Sequence, residues 1–293
     1  MTDRAAPSGA RFAAPGPGGA LLAGAARVAL ALAGTSSVPA ARRLGPPRYA
    51  TLERGIARLA WRALGADLRV TGLDHARGGP FVVLPLHESL VDPLLVTTLP
   101  LPLRFIARDE LWAWPHVGDL LRAGGHLSVP LHADAGVARS VLRRAAEVTH
   151  RGDSPVIFPQ GSILGIEVAF NRGGFWLARQ LGLPVLPVVL VGTHRVWEHP
   201  YSPRLRRGCP VSLHVLEPVP AAQAWRGAAE IEEHMRSLAL ADRHAPPRRF
   251  VPERDGYWDG YPYEIAPEFT ELAGAVARHR RAVGGDPDER VGR

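Results

Sequence analysis

Lysine is absent from this chain of 293 residues, and cysteine occurs only once. The single cysteine, Cys209, excludes an internal disulfide framework. The sequence has no zinc-type cysteine pairs and no HExxH motif, so we expect no metal and no bound cofactor. It also lacks a GxxxxGK[ST] phosphate loop, a GxSxG nucleophile elbow and the usual nucleic-acid-binding signatures. These absences argue against the common nucleotide-dependent and serine-hydrolase classes and against a nucleic-acid partner.

The positive charge comes entirely from arginine, with 35 basic against 28 acidic side chains and a formal net charge of +7. A compositional bias towards alanine, glycine, proline and arginine explains much of this excess. The remaining physical consequence is a surface rich in guanidinium groups, which bind phosphates and carboxylates in bidentate fashion. The charge therefore favours anionic partners such as acidic lipids or a CoA-type substrate.

Long apolar runs are also missing. The stretch from Gly19 to Gly34 is rich in alanine and is interrupted by Arg27, whereas a membrane span needs about 20 strongly apolar residues. We expect a helix that lies on the membrane or on the protein surface. A second helix is predicted over Tyr49–Gly65, where apolar residues recur at helical spacing beside a basic stripe of Arg54, Arg58 and Arg62. An ordinary amphipathic surface helix is the alternative reading of this segment.

Changes in composition and in the pattern of apolar residues divide the chain into four parts. We predict a disordered leader over residues 1–20, interfacial helices over 21–66, an α/β domain over 67–241 and a cap or tail over 242–293. In the α/β part, seven strands are predicted at Leu68–Thr71, Phe81–Leu86, Leu103–Ala107, His126–Val129, Val156–Phe158, Val185–Val191 and Val211–Leu216. Helical patterns lie between them, at Asp92–Thr98, Glu110–Arg122, Ala135–His150, Gly174–Leu181 and Ala221–Leu240. This alternation predicts a largely parallel sheet of about seven strands flanked by helices.

Two segments at the carboxyl ends of predicted strands carry candidate chemistry, because active sites of parallel sheets form there. His87 directly follows a continuously apolar strand, and Asp92 lies in the first turn of the next helix. An aspartate at this spacing can accept the ring N–H of the histidine, which is the arrangement of a general base with its orienting acid. A capping aspartate beside a loop histidine is the alternative. The second segment is the turn Phe158-Pro-Gln-Gly-Ser162, whose backbone N–H groups can face an anion.

Together these segments resemble the motifs of the glycerolipid acyltransferase superfamily. His87 and Asp92 match its HxxxxD motif, and Phe158-Pro-Gln-Gly-Ser-Ile163 resembles the Phe-Pro-Glu-Gly-Thr-Arg motif. A second motif is approximated from Arg104 to Val129, and a fourth by Leu183-Pro-Val-Leu-Pro-Val-Val189. The order and spacing agree over residues 80–195.

The resemblance implies an O-acyltransferase without a covalent enzyme intermediate. It implies that His87 is the general base on a lyso-lipid hydroxyl, that Asp92 orients it, and that acyl-CoA or an acyl carrier protein is the donor. The same comparison assigns substrate binding to Arg108, Phe158, Pro159, Gln160, Gly161 and Ser162. It also implies a peripheral membrane protein on the cytoplasmic face, with membrane lipids as partners. A hydrolase that uses the same pair on water, and a non-catalytic lipid-binding protein, are the alternatives.

The departures from the family pattern concern the acceptor. Gln160 replaces glutamate, Ile163 stands where arginine is typical, and the segment from Ser128 to His132 contains no arginine. An aliphatic side chain cannot replace a guanidinium–phosphate contact, so these changes argue against lysophosphatidate and for a lyso-aminolipid, a glycolipid or another hydroxylated amphiphile. Arg139, Arg172 or Arg179 would restore a phosphate site if they reached the pocket.

Aromatic residues outside these motifs have several possible roles. Trp112 and Trp114, together with Leu111, pack in the core, which we favour, line an acyl-chain pocket or insert into the membrane interface. The tail has four aromatic residues that form a lid or an interfacial patch, or anchor the tail to the domain, namely Tyr257, Trp258, Tyr261 and Tyr263.

Overall fold

The computed structural model describes residues 36, 39–41, 43–132, 134–198, 205–259, 261 and 263–284. The predicted leader and the predicted helix at Gly19–Gly34 lie outside these residues. The helices are α1 Pro46–Leu64, α2 Asp92–Val96, α3 Val117–Ala123, α4 Ala135–His150, α5 Gly173–Leu181, α6 Thr193–Val196, α7 Ala221–Arg226, α8 Ala228–Ala241, α9 Pro252–Asp255 and α10 Thr270–Ala282. The strands are β1 Asp67–Thr71, β2 Val82–Pro85, β3 Leu103–Arg108, β4 Leu127–Val129, β5 Ser154–Val156, β6 Val185–Val191 and β7 Pro210–Val215.

The seven strands form one sheet in the order β1-β7-β6-β2-β5-β3-β4. Five neighbouring strands, from β6 to β4, are parallel, and β7 pairs antiparallel with β6. Since β1 is parallel to β7, these two strands run against the other five. The predicted α/β fold with a largely parallel sheet is confirmed.

The central strands are those with continuous apolar sequence. Every residue of β2 and of β6 is buried, because helices cover both faces of the sheet at its centre. One large cluster of buried side chains, including Leu95, Phe105 and Leu186, packs against one face, and a second, around Phe175, packs against the other. This packing fixes the carboxyl ends of β2, β5, β3 and β6 side by side.

Several element boundaries differ from the prediction. The predicted helix Glu110–Arg122 is a 3-10 segment, Asp109–Ala113, followed by α3, because Pro115 forces the preceding Trp114 into an extended conformation. The predicted helix Ala221–Leu240 is divided into α7 and α8 at Gly227. The predicted strand Val156–Phe158 begins and ends two residues earlier, so Phe158 belongs to the turn that follows.

The tail beyond α8 packs against the loop that follows the Phe158–Ser162 turn. Phe250 and Val276 share an apolar cluster with Leu164 and Val168, and Val168 forms a β-bridge with Ile265. The tail as described is irregular, with short helical turns before the final helix α10, as predicted. Its contacts therefore support the loop that continues from the predicted substrate-binding turn.

Candidate active site

His87 and Asp92 meet at the carboxyl end of β2. Asp92 begins α2 and is fully buried, and its Oδ2 lies 2.7 Å from His87 Nδ1. The same oxygen accepts the backbone N–H groups of Glu88 at 2.7 Å and Ser89 at 2.8 Å. A carboxylate surrounded by three donors is held in one orientation, and it fixes the proton of the His87 ring on Nδ1. The predicted juxtaposition is present in the structure.

The other nitrogen of His87 faces the pocket. Nε2 makes no hydrogen bond to any residue that the structure describes, and the His87 side chain is 13% exposed. Its ring stacks on Phe158, with the ring centroids 3.9 Å apart and an interplanar angle of 22°. The stacking holds the imidazole from its face and leaves the Nε2 lone pair directed at whatever occupies the pocket.

Gln160 connects the two predicted segments. Its Oε1 accepts the backbone N–H of His87 at 2.6 Å, and its Nε2 donates to the carbonyl of Gly165 at 2.5 Å. The residue is 1% exposed, so both ends of the amide are used inside the protein. A carboxylate at this position could accept the N–H of His87 but could not donate to Gly165. The glutamine therefore links the Phe158–Ser162 turn to the backbone of His87, and it does not line the pocket.

The Gly161 turn is closed by Arg108, which ends β3. Gly161 has a φ of 65°, and its N–H already donates to the carbonyl of Phe158 at 3.1 Å, so this N–H is engaged within the turn. The guanidinium of Arg108 donates to the Gly161 carbonyl and lies 4.8 Å from the ring centroid of Tyr261. Burial lowers the pKa of Arg108 below its ordinary value, while Glu110 at 3.8 Å opposes this. Arg108 thus braces the turn and also lines the pocket.

Ser162 places a buried hydroxyl group in the same turn. It is 4% exposed, lines the pocket, and its Oγ has no hydrogen-bond partner among the described residues. A buried hydroxyl without a partner costs free energy, which a ligand atom would recover. Pro159 also lines the pocket and accepts the Asn171 side-chain amide through its carbonyl at 3.0 Å.

The pocket in front of His87 has a volume of about 1500 Å³. Its wall is mostly apolar and is built by α1, by the segment after β2, and by the residues from Leu111 to Leu121. Trp114 and Leu111 belong to this wall, and Trp114 is 38% exposed, so the favoured core position is wrong for Trp114. A cavity of this size and composition suits an acyl chain beside a small polar centre.

Positive charge is scarce in the pocket. Arg108 is its single arginine among the described lining residues, and Ile163 lines it at the position where the resembling family has arginine. Arg172 and Arg179 instead lie over the ring of Trp225, at 5.2 and 5.3 Å from the centroid. Arg139 is exposed on α4 and is not part of the lining. The three alternative arginines therefore do not rebuild a phosphate site in this pocket.

Several residues of the site were missed by sequence reasoning. Thr193 follows β6 and donates its hydroxyl to Asp92 Oδ1, from 101 residues away in sequence. Its position after a buried strand was the available signal. Trp258 and Tyr261 of the tail line the pocket, whereas Tyr263 packs on Phe250 with centroids 5.6 Å apart, so the tail aromatics both line the pocket and anchor the tail.

Comparison with known proteins finds acyltransferases among the proteins similar to this chain. The sequence model of a family described as Acyltransferase matches residues 67–191. A lyso-ornithine lipid O-acyltransferase of Pseudomonas aeruginosa is 31% identical over 211 residues, which are 65% of this chain and 78% of that protein. A 1-acyl-sn-glycerol-3-phosphate acyltransferase of Limnanthes douglasii is 26% identical over 158 residues, 53% of this chain and 55% of that protein, so the match spans little more than half of the plant relative.

A solved structure supports the fold. The crystal structure of the 1-acyl-sn-glycerophosphate acyltransferase PlsC from Thermotoga maritima matches with a TM-score of 0.62. The match covers 76% of this chain and 97% of that chain, at 23% sequence identity. The match shows that the two chains share a fold.

Proposed function

Since the chain belongs to the glycerolipid acyltransferase superfamily, we propose that it transfers a fatty acyl group from a thioester donor to a hydroxyl of a lyso-lipid. The observation that carries this proposal is the free Nε2 of His87 in a large apolar pocket, with Nδ1 held by a buried carboxylate. The donor would be acyl-CoA or an acyl carrier protein.

The geometry supports a direct transfer. His87 Nε2 takes the proton of the acceptor hydroxyl while the hydroxyl oxygen attacks the thioester carbonyl carbon. The tetrahedral intermediate then collapses, the carbon–sulfur bond breaks, and the imidazolium returns the proton to the departing thiolate. Asp92 stabilises the imidazolium between these steps and keeps the ring in the required tautomer. The unpartnered hydroxyl of Ser162 is our candidate donor to the negatively charged carbonyl oxygen.

The charge of the pocket favours an acceptor that needs little phosphate recognition. The described lining offers one guanidinium, and that group already braces the Gly161 carbonyl. The bacterial relative is named for lyso-ornithine lipid, an acceptor whose head group is an amino acid. We therefore propose a hydroxylated lyso-aminolipid as acceptor, in preference to lysophosphatidate.

Product analysis tests the reaction class. The full-length protein is incubated with acyl-CoA, or with acyl carrier protein, in the presence and absence of a lyso-ornithine lipid, and free thiol and acylated lipid are quantified. We expect thiol release to require the acceptor and to equal the acylated product. Thiol release of the same rate without acceptor, with free fatty acid as product, would show a hydrolase instead.

An acceptor panel tests the substrate class. We expect kcat/KM for the lyso-aminolipid to exceed that for lysophosphatidate of the same chain length by at least about tenfold, the effect of one lost charged contact. Equal values, or a preference for lysophosphatidate, would contradict the assignment of the acceptor while leaving the transferase assignment intact.

Helix α1 supports a peripheral attachment to the membrane. Leu52, Ile56 and Leu59 are exposed by 39%, 47% and 67%, and they share the helix with Arg58 and Arg62. Within the described residues, no helix combines the length and the apolar character needed to cross a bilayer. We propose that α1 lies at the lipid surface and that the pocket opens there, on the cytoplasmic side where thioester donors occur.

Vesicle binding tests this attachment. In vesicles that contain an anionic phospholipid, the double substitution of Ile56 and Leu59 by serine should weaken binding several-fold, because α1 loses apolar area. The matched control is serine at Val70 and Leu73, which are exposed by 39% and 41% on the edge strand β1 and just after it. An equal loss in both double variants would contradict the assignment to α1.

A further inference from the structure

Thr193 occupies the point where β6 meets the reaction centre. It follows Gly192, whose φ of 89° turns the chain sharply, and it is fully buried at the start of α6. Its hydroxyl donates to Asp92 Oδ1, and the same hydroxyl oxygen lies 3.3 Å from Oε1 of Glu88. A threonine hydroxyl has one proton to donate, so it satisfies Asp92 and separates that carboxylate from a second one.

Glu88 is the second buried carboxylate, 3% exposed. Burial alone would raise the pKa of Glu88, but the neighbouring His194, together with backbone N–H groups, holds it below its ordinary value. Oε1 lies 3.3 Å from His194 Nδ1, and Oε2 accepts the backbone N–H of Arg248 at 2.9 Å. Two anionic side chains therefore face each other across one hydroxyl, directly behind the histidine.

We propose that Thr193 is a positioning residue that controls how tightly His87 holds its proton, acting through Asp92; this inference rests on the proposed function. Oδ2 of Asp92 already receives three donors, and Thr193 supplies the donor to Oδ1. With both oxygens satisfied, the carboxylate cannot rotate and its negative charge is partly dispersed. His87 then faces a carboxylate whose orientation is fixed and whose charge is shared among four donors.

The charged groups around His87 come from four segments. Asp92 and Glu88 lie on its own loop, and His194 approaches from α6. The tail contributes Arg248, whose guanidinium is paired with Asp255, while Arg108 lines the pocket from the end of β3. Among these groups only Asp92 lies within hydrogen-bond distance of the ring, so a change at Thr193 reaches His87 through Asp92.

The substitution Thr193→Val tests the inference because it keeps the shape of the side chain and removes the hydroxyl. Asp92 then loses a donor and the two carboxylates face each other unscreened, so the His87–Asp92 pair holds its proton more tightly. We expect the acidic limb of the pH profile of kcat/KM to move up by about one unit, with KM for the donor unchanged. Thr193→Ser should restore the wild-type profile. Thr149→Val is the matched control, since that hydroxyl bonds to the Ala146 carbonyl at 2.9 Å on α4.

The inference is overturned if the acidic limb of the kcat/KM profile of Thr193→Val stays at the wild-type pH and the activity falls only as much as the thermal stability does. If the valine variant fails to fold, Glu88→Gln decides the question. Removing this negative charge should move the limb to lower pH, and an unmoved limb or an upward shift would overturn the inference. Failure of the proposed function has a different signature, because the wild-type protein itself would then show no acceptor-dependent acyl transfer, whatever the behaviour of Thr193→Val.

Discussion

Among the described residues, two histidine–aspartate pairs have nearly equal nitrogen–oxygen distances but lie at different strands of the sheet, β2 and β7. His87 Nδ1 lies 2.7 Å from Asp92 Oδ2 at the carboxyl end of β2, and Nε2 of His214, on β7, lies 2.8 Å from Asp242 Oδ2. The remaining nitrogen of His214 is 2.8 Å from the hydroxyl of Thr71, whereas that of His87 faces the pocket. A histidine–aspartate pair alone therefore does not identify a general base. The distinguishing feature is a ring nitrogen that has no hydrogen bond and faces a cavity.

The two aspartates also differ in what they support. Asp242 accepts the backbone N–H groups of His244 and Ala245, both at 2.7 Å, where the tail leaves α8. Burial would raise the pKa of Asp242, but these hydrogen bonds, with that from His214, hold it at about 2. Asp92 instead joins the loop after β2 to Thr193 after β6. The His214–Asp242 pair attaches the start of the tail to β7, and the His87–Asp92 pair assembles the reaction centre.

Alanine at each histidine gives the largest contrast. We expect His87→Ala to lower kcat/KM for acyl transfer by about 10²–10⁴-fold, because the base is removed. His214→Ala should retain kcat/KM within a few-fold while lowering the free energy of unfolding, since it leaves buried Asp242 without its imidazole partner. Steady-state kinetics and chemical denaturation of both variants measure this. Equal loss of activity in the two would erase the distinction between the pairs.

Asparagine at each aspartate sharpens the contrast further. Asp92→Asn should reduce kcat/KM by at least about a hundredfold, because the imidazolium loses its counter-charge. The variant should also lose stability, since both carboxylate oxygens accept hydrogen bonds, and an amide nitrogen must then face either the N–H groups of Glu88 and Ser89 or the hydroxyl of Thr193. Asp242→Asn should keep its activity. Wild-type turnover in Asp92→Asn would show that this carboxylate has no part in the reaction.

The dependence of stability on pH gives the smallest effect. A carboxyl with a pKa of about 2 in the folded chain and an ordinary value of 3.8 contributes stability above pH 4 that is lost as the pH falls towards 2. This contribution is about 2 kcal/mol at neutral pH. Asp242→Asn should remove it and flatten the acid dependence of the free energy of unfolding. An unchanged slope below pH 4 in the variant would contradict the role of Asp242.

Much of the fold could be predicted from the sequence, because it depends on local patterns. The seven strands follow from apolar runs, and His87 with Asp92 follows from a five-residue spacing at a strand end. The break at Pro115 was missed, because the helical periodicity of the surrounding residues continues through it. The internal use of Gln160 was missed for another reason, since its partners, the N–H of His87 and the carbonyl of Gly165, are defined only once the strands are paired.

The contacts that could not be predicted from the sequence depend on the order of the strands in the sheet. Thr193 meets Asp92 because β6 lies beside β2, and no periodicity in the sequence records that neighbourhood. The tail is a similar case. Arg248 donates through its backbone to Glu88, and Tyr261 covers Arg108, although composition alone marks this region as an irregular cap. These contacts join segments more than a hundred residues apart in sequence.

Nitrogen-15 NMR of the histidine side chains tests the central claim most directly, with His87→Ala and His214→Ala used to assign the signals. In the neutral form of each ring, we predict that His87 carries its proton on Nδ1, bound to Asp92, and leaves Nε2 bare. His214 should show the opposite tautomer, with its proton on Nε2 towards Asp242. A proton found on Nε2 of His87 would remove the lone pair that the acceptor hydroxyl requires and would contradict the account.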